Sequence, residues 1–216
     1  MRAEVAILFA DLTNSHEFGE VETLEKYCEI IRRFKVLAFK SVEKFKEEHS
    51  ISDKLYARMT NDNLLAVIRG NSAIIDIMNL ALSLRRSWNE SELAAELRRF
   101  HQSPTFPLTM DLSMGISQGP LVFEVHPFSK QIEPDGPWIS RTKRIRRLAE
   151  IYAPDSLTLV TGPIKEAATN NNLNLIFGNP MNLDRGEKEV LVFDPNSDLI
   201  VLYPVISFPE FDTTPT

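Results

Sequence analysis

Cysteine is nearly missing from this chain. Cys28 is the only one in 216 residues, which excludes an internal disulfide and a cysteine-built zinc centre and makes the cytosol the expected compartment. Long apolar runs are missing too. The N-terminal segment is apolar only from Val5 to Ala10 before Asp11 interrupts it, and no later run approaches the length of a membrane span. The expectation is a cytoplasmic protein with no signal peptide and no membrane contact. Positive charge is in deficit: 24 Lys and Arg stand against 30 Asp and Glu, a net charge of −6. That argues against broad nucleic-acid binding, which needs a surplus of cations facing the phosphates. An anionic substrate can still be held locally, by metal ions or a few well-placed arginines. Linker-like stretches and internal repeats are also absent, so a single domain is expected over residues 1–208, with a loose tail at 209–216.

What is present suits one α+β core. Hydrophobic residues make up 43% of the chain and charged residues 25%, ordinary values for a globular protein. Met1 to Asp11 reads as a buried strand, because Val5 to Phe9 are continuously apolar. Thr13-Asn14-Ser15 is turn and cap chemistry, and helical spacing from about Val21 to Glu48 predicts one long helix. Tyr56–Met59 and Leu64–Ile68 read as strands joined by a tight turn at Thr60-Asn61-Asp62-Asn63, where Asn tolerates positive φ. Asn71 to Phe100 reads as one or two helices, broken at Ser103-Pro104-Thr105-Phe106-Pro107. Alternation over Leu108 to Ile116 predicts a half-buried strand, Gln118-Gly119-Pro120 a turn, and Leu121 to Val125 another strand. Gly136-Pro137 opens a helix to about Tyr152. A strand at Leu157–Val160, a helix at Pro163–Thr169, and strands near Leu173–Phe177, Val190–Phe193 and Leu199–Val205 complete the order.

The residues with chemical potential are two aspartates. Asp11 ends the first strand and Asp62 sits on the hairpin turn. Carboxylates on neighbouring strand ends suit an oxygen-loving divalent cation, and two such ions can serve an in-line displacement at phosphorus. One activates the attacking oxygen; the other stabilises the leaving pyrophosphate. The backbone N–H groups of Leu12 to His16, at the start of a helix, can cradle a phosphate, which nominates Thr13, Asn14 and Ser15 as substrate-binding. Taken singly, either aspartate is more often a helix cap or turn residue.

The segments AILFADLTNS, ARMTNDNLLAVI, LTMDLSMGISQGPLVFE and GPWISRTKRIRRLAEIYAPDSLTLVTGPI resemble, in this order, the class III adenylate and guanylate cyclase catalytic domain. The resemblance covers about Val5 to Ile164 and implies a ferredoxin-like βαββαβ core with extra elements. It also implies two divalent cations, Mn²⁺ or Mg²⁺, held by Asp11 and Asp62. Arg144 falls on the arginine that steadies the triphosphate, and Ser140 falls where the family has an asparagine that orients the ribose. The remaining cations of that helix, Arg141, Lys143, Arg146 and Arg147, read as a solvated basic face. Lys188 and Arg185 are rival candidates for a late phosphate-holding cation. A homodimer with composite active sites is implied, since the family draws its metal aspartates and its arginine from different protomers.

Arg58 and Glu133 fall on the family's base-reading positions. Arginine offers only donors in a planar fork, which suits carbonyl and ring-nitrogen acceptors better than the adenine amine. Glu133 either accepts from a base N–H or neutralises Arg58. The chain thus looks most like the stand-alone pyrimidine cyclases of Pycsar anti-phage systems, with UTP favoured and CTP possible. The alternatives are an adenylate cyclase and a degenerate, nucleotide-binding cyclase-like module.

Overall fold

A computed structural model describes residues 2–100, 108–128, 130–181 and 201–207. The expected break at residues 103–107, the strand at 190–193, the tail at 209–216 and both late cations, Arg185 and Lys188, lie outside these residues. Strand β1 (Arg2–Leu12) is followed by helices α1 (Ser15–Val21) and α2 (Leu24–His49), then by the hairpin β2 (Leu55–Thr60) and β3 (Asn63–Arg69). Helices α3 (Ala73–Asn89) and α4 (Glu92–Phe100) lead to β4 (Leu112–Val125), β5 (Ile132–Asp135) and α5 (Pro137–Tyr152). The described chain continues through β6 (Thr158–Thr161), α6 (Gly162–Asn170), β7 (Ile176–Phe177) and β8 (Leu202–Ser207).

The sheet order is β2-β3-β1-β4-β6-β8-β7, with β5 paired to the far end of β4. Its first four strands, connected β1-α-β2-β3-α-β4 and ordered β2-β3-β1-β4, are the expected ferredoxin-like core. Only β4 and β6 pair in parallel among the described strands. β1 lies between β3 and β4, and every residue from Val5 to Leu12 is buried because both faces of the sheet are covered. Ala6, Leu8, Ala10 and Leu12 join a core with Phe34, Phe45, Ile77 and Trp88 of α2 and α3. Val5, Ile7 and Phe9 face the other way, in a smaller cluster with Leu65, Val67 and Leu121 against which Trp138 and Ile139 of α5 pack.

That second layer explains the glycines of β4. Gly115, Ser117 and Gly119 lie on one face, two residues apart, and leave a track for α5. A Cβ on Gly115 would stand 2.5 Å from the Arg146 backbone nitrogen and 2.7 Å from the Thr142 carbonyl. A Cβ on Gly119 would enter the Trp138 ring. Between them the Ser117 and Thr142 hydroxyls share a hydrogen bond of 2.6 Å.

Three expectations change here. The long N-terminal helix is preceded by a separate short one, with Thr23 capping α2 through a hydrogen bond from the Lys26 N–H. Gln118-Gly119-Pro120 is not a turn: β4 runs straight through it, pairing Val5 with Gly119 and Glu4 with Pro120. Residues 117–121 lie between the stretches bound by β6 and β5, so they pair on one side only, where proline's missing donor is tolerated. Finally, β5 is a strand the pattern did not reveal, because four residues that include Pro134 carry no usable alternation.

Candidate active site

Register brings the two aspartates together. β1 pairs with β3 so that Asp11 lies opposite Asn63, one residue from Asp62. Asp62 stands on the two-residue turn, where Asn61 takes φ 53, the conformation expected of an Asn at that position. Asp11 and Asp62 line one cavity of about 360 Å³ with Asn14, Ser15, Arg146 and Glu150. The Ser15 hydroxyl donates to Asp62 Oδ2, and Asn63 Nδ2 donates to Asp62 Oδ1 at 2.6 Å.

Asn14, at φ 52, precedes α1. Its side-chain amide donates to the Thr109 carbonyl at 2.7 Å. Thr13 lies outside this cavity: its hydroxyl bonds Thr109 and the Asp111 N–H, and its own N–H donates to the Asp111 carbonyl. The anticipated cradle of N–H groups is therefore short by one donor, and α1 is a helix of only seven residues.

The surprise of the cavity is Arg146. It is 7% exposed, forms an ion pair with Asp11 Oδ2, bonds Glu150 Oε1, and donates to Ser113 Oγ at 3.3 Å. Arg141 is also buried, its guanidinium 4.7 Å from the Trp138 ring centroid. The basic run of α5 is thus not a solvated face; two of its arginines turn inward, and only Lys143 and Arg147 are exposed. Charge density alone cannot say which cations of a helix face the sheet. A helical-wheel signal exists, however, since Arg146 follows Thr142 and precedes Glu150 at four-residue steps on the face beneath which β4 has its small residues.

Burial pushes the Asp11 carboxyl up to about 7; Arg146 pulls it down, while Asp62 and Glu150 add to the rise. Its Oδ1 is buried with no hydrogen-bond partner. An orphaned carboxylate oxygen beside a second carboxylate fits a divalent cation, which takes oxygen donors. The fit is narrow: Asp11 Oδ2 and Glu150 Oε1 are both engaged by Arg146, and among the described residues no three His, Cys, Asp or Glu side chains converge on one point.

The base-reading candidates occupy a different cavity, of about 380 Å³, which holds Arg58, Glu133 and Ser140 together with Tyr56, His126 and Asp135. Arg58 Nη1 pairs with Glu133 at 3.0 Å. Glu133 reaches that place because β5 folds back on β4, opposite Glu124. The two cavities share no residue, and both are edged by α5: Ser140 borders one; Lys143, Arg146, Arg147 and Glu150 border the other. Arg144 is half-buried and borders neither.

No protein-family model matches the chain, and no curated protein matches it by sequence. Solved structures do match. The adenylyl cyclase CyaB from P. aeruginosa superposes with a TM-score of 0.68 at 11% identity, over 96% of both chains. The guanylyl cyclase Cya2 does so at 0.67 and 13% identity, over 99% of this chain and 96% of that one. The dimeric guanylyl cyclase domain of the RhoGC fusion protein from Blastocladiella emersonii gives 0.62 and 10%, over 96% and 98%. Together with the strand order, these likenesses establish that the chain has the class III nucleotide cyclase fold.

Proposed function

We propose that the chain is a nucleotide cyclase that converts a nucleoside triphosphate to its 3′,5′-cyclic monophosphate and pyrophosphate. One observation carries this: Asp11 and Asp62, far apart in sequence, share a cavity at the strand ends, with a buried, unpartnered carboxylate oxygen between strand and turn. A divalent cation bound there supplies charge to lower the pKa of the attacking 3′-hydroxyl and to offset the charge that develops at phosphorus. Ser15 and Asn63 hold the Asp62 carboxylate in place by hydrogen bonds from both sides. The guanylate cyclase domain of RhGC from Catenaria anguillulae, also similar in fold, was solved in complex with GTP.

The cyclase works as a homodimer in this reading. The Asp11–Asp62 cavity and the Arg58–Glu133–Ser140 cavity are separate within one chain, and the head-to-tail dimer that the resemblance implies would bring the first of one copy to the second of the other. Arg144, which borders neither cavity, is then supplied to the triphosphate by the second copy.

For the base, UTP is favoured and CTP is second. Glu133 accepts from one Arg58 nitrogen and the Tyr56 hydroxyl also bonds the guanidinium, which still leaves donors of the fork for carbonyl oxygens. Supply of a cyclic pyrimidine messenger to a separate effector in anti-phage defence follows from the sequence resemblance to the Pycsar type. Incubating the protein with UTP, CTP, ATP or GTP and Mn²⁺, with products resolved by chromatography and mass spectrometry, tests the reaction and the base. Cyclic UMP is expected. Exclusive cyclic AMP would overturn the pyrimidine assignment, and no cyclic product from any of the four would overturn the enzyme. The Arg146–Asp11 pair favours one second reading, a nucleotide-binding module without turnover, which the same assay separates.

A further inference from the structure

We propose that the Arg146 guanidinium permanently fills one of the two cation positions of the Asp11–Asp62 site, so that this chain takes a single divalent cation. The inference rests on the cyclase reading for the purpose of the site, but not for its occupancy.

Arg146 is bound as a cation is bound. Its Nη2 meets Asp11 Oδ2, and its Nη1 meets Glu150 Oε1 and the Ser113 hydroxyl, so three oxygens from three elements surround one buried positive group. A side chain that merely lay across the cavity would keep water on its charge, whereas this one is 7% exposed. Burial on that scale demands compensation by paired charge. Its backbone is held close to the sheet as well: Arg146 lies against Gly115, where even a methyl group would collide with the helix backbone.

The donors agree. Arg146 occupies Asp11 Oδ2 and Glu150 Oε1, which leaves Asp11 Oδ1, buried and unpartnered, in one cavity with the Asp62 carboxylate that Ser15 and Asn63 hold. Two carboxylates with water can hold one divalent ion. A fixed guanidinium beside the reacting phosphate performs the electrostatic part of a second ion's task without exchanging with solvent.

Counting Mn²⁺ ions on the full chain tests this, by loss of the free-ion electron paramagnetic resonance signal with Mn²⁺ as the only ligand added. Wild type is expected to take about one ion per protomer, Arg146→Gln about two, and Arg146→Lys about one. Two ions on wild type would overturn the proposal, as would a single ion on Arg146→Gln that retains its circular-dichroism spectrum. If Arg146→Gln does not fold, the wild-type count decides alone: one ion supports the proposal and two overturn it. Failure of the cyclase reading looks different, since no triphosphate would then be cyclised even with the ion counts as expected.

Discussion

The two ends of α5 are built on opposite principles. Near its C-terminal half, Arg146 and Glu150 are drawn into a buried network with Asp11 and Ser113, which leaves only Asp11 Oδ1 and Arg146 Nε as buried atoms of that network without a hydrogen-bond partner. Near its N-terminus, Ser140 is exposed and looks onto the Arg58–Glu133 pair, in which the arginine side chain is 55% exposed. A buried network can change partners only at the cost of desolvated charge. An exposed pair can rearrange for almost nothing, because such pairs contribute about 0–1 kcal/mol. The comparison teaches which end is suited to invariant chemistry and which to adjustable recognition.

The sharpest way to break that comparison is at the Asp11–Asp62 end. Asp62→Ala should lower turnover by on the order of 10²–10³, the range typical of losing one electrostatic group that acts at the transition state. Its melting temperature should stay close to wild type, since the residue stands on a two-residue turn. An unchanged rate in a purified preparation would show that the carboxylate pair is not the chemical centre.

Gly115→Ala attacks the shared support instead. A methyl group there meets the α5 backbone, and overpacking of this kind costs roughly 1–3 kcal/mol. Both cavities should suffer together, with lower denaturant midpoint and weaker binding of metal and nucleotide alike. Loss at one end alone would mean that α5 does not couple them.

The third test is pH. Asp11 is pushed from 3.8 up to about 7, mainly by burial, and a cation must displace its proton. Mn²⁺ affinity should therefore climb about tenfold per pH unit below 7 and level off above it, as followed by calorimetry. Stability runs the other way. The folded state holds the proton more tightly than the unfolded chain, so this group's contribution is fully present below 3.8 and is lost as pH rises through about 7.

Arg58→Ala should have the smallest effect on the fold, under about 1 kcal/mol, while altering the ranking of triphosphates by kcat/KM. An unaltered ranking would leave Arg58 as no more than a surface partner for Glu133.

Much of this was legible before any coordinates. Val5 to Phe9 advertise a doubly covered strand, and the Asn61-Asp62 turn between two short apolar runs advertises a hairpin. Gly136-Pro137 marks the start of α5, where Gly136 indeed takes φ 148. Other features were misread for identifiable reasons. Gln118-Gly119-Pro120 has turn composition, but its glycine serves Trp138 and its proline sits on a stretch paired on one side only. In sequence Arg146 reads like its charged neighbours, because a run of cations carries no label for the one that turns inward. Glu150 drew no notice, being an ordinary helical glutamate until Arg146 reaches it.

Local sequence thus determined which segments become strands and helices, and which turn carries Asp62, because those depend on short-range periodicity and backbone preference. Only the tertiary structure decided that Asp11 lies beside Asp62, that Arg146 neutralises the first of them, and that Glu133 meets Arg58. Each of these contacts joins residues separated by many positions, and the strand register and the glycine track under α5 that create them are properties of packing, which no local pattern encodes.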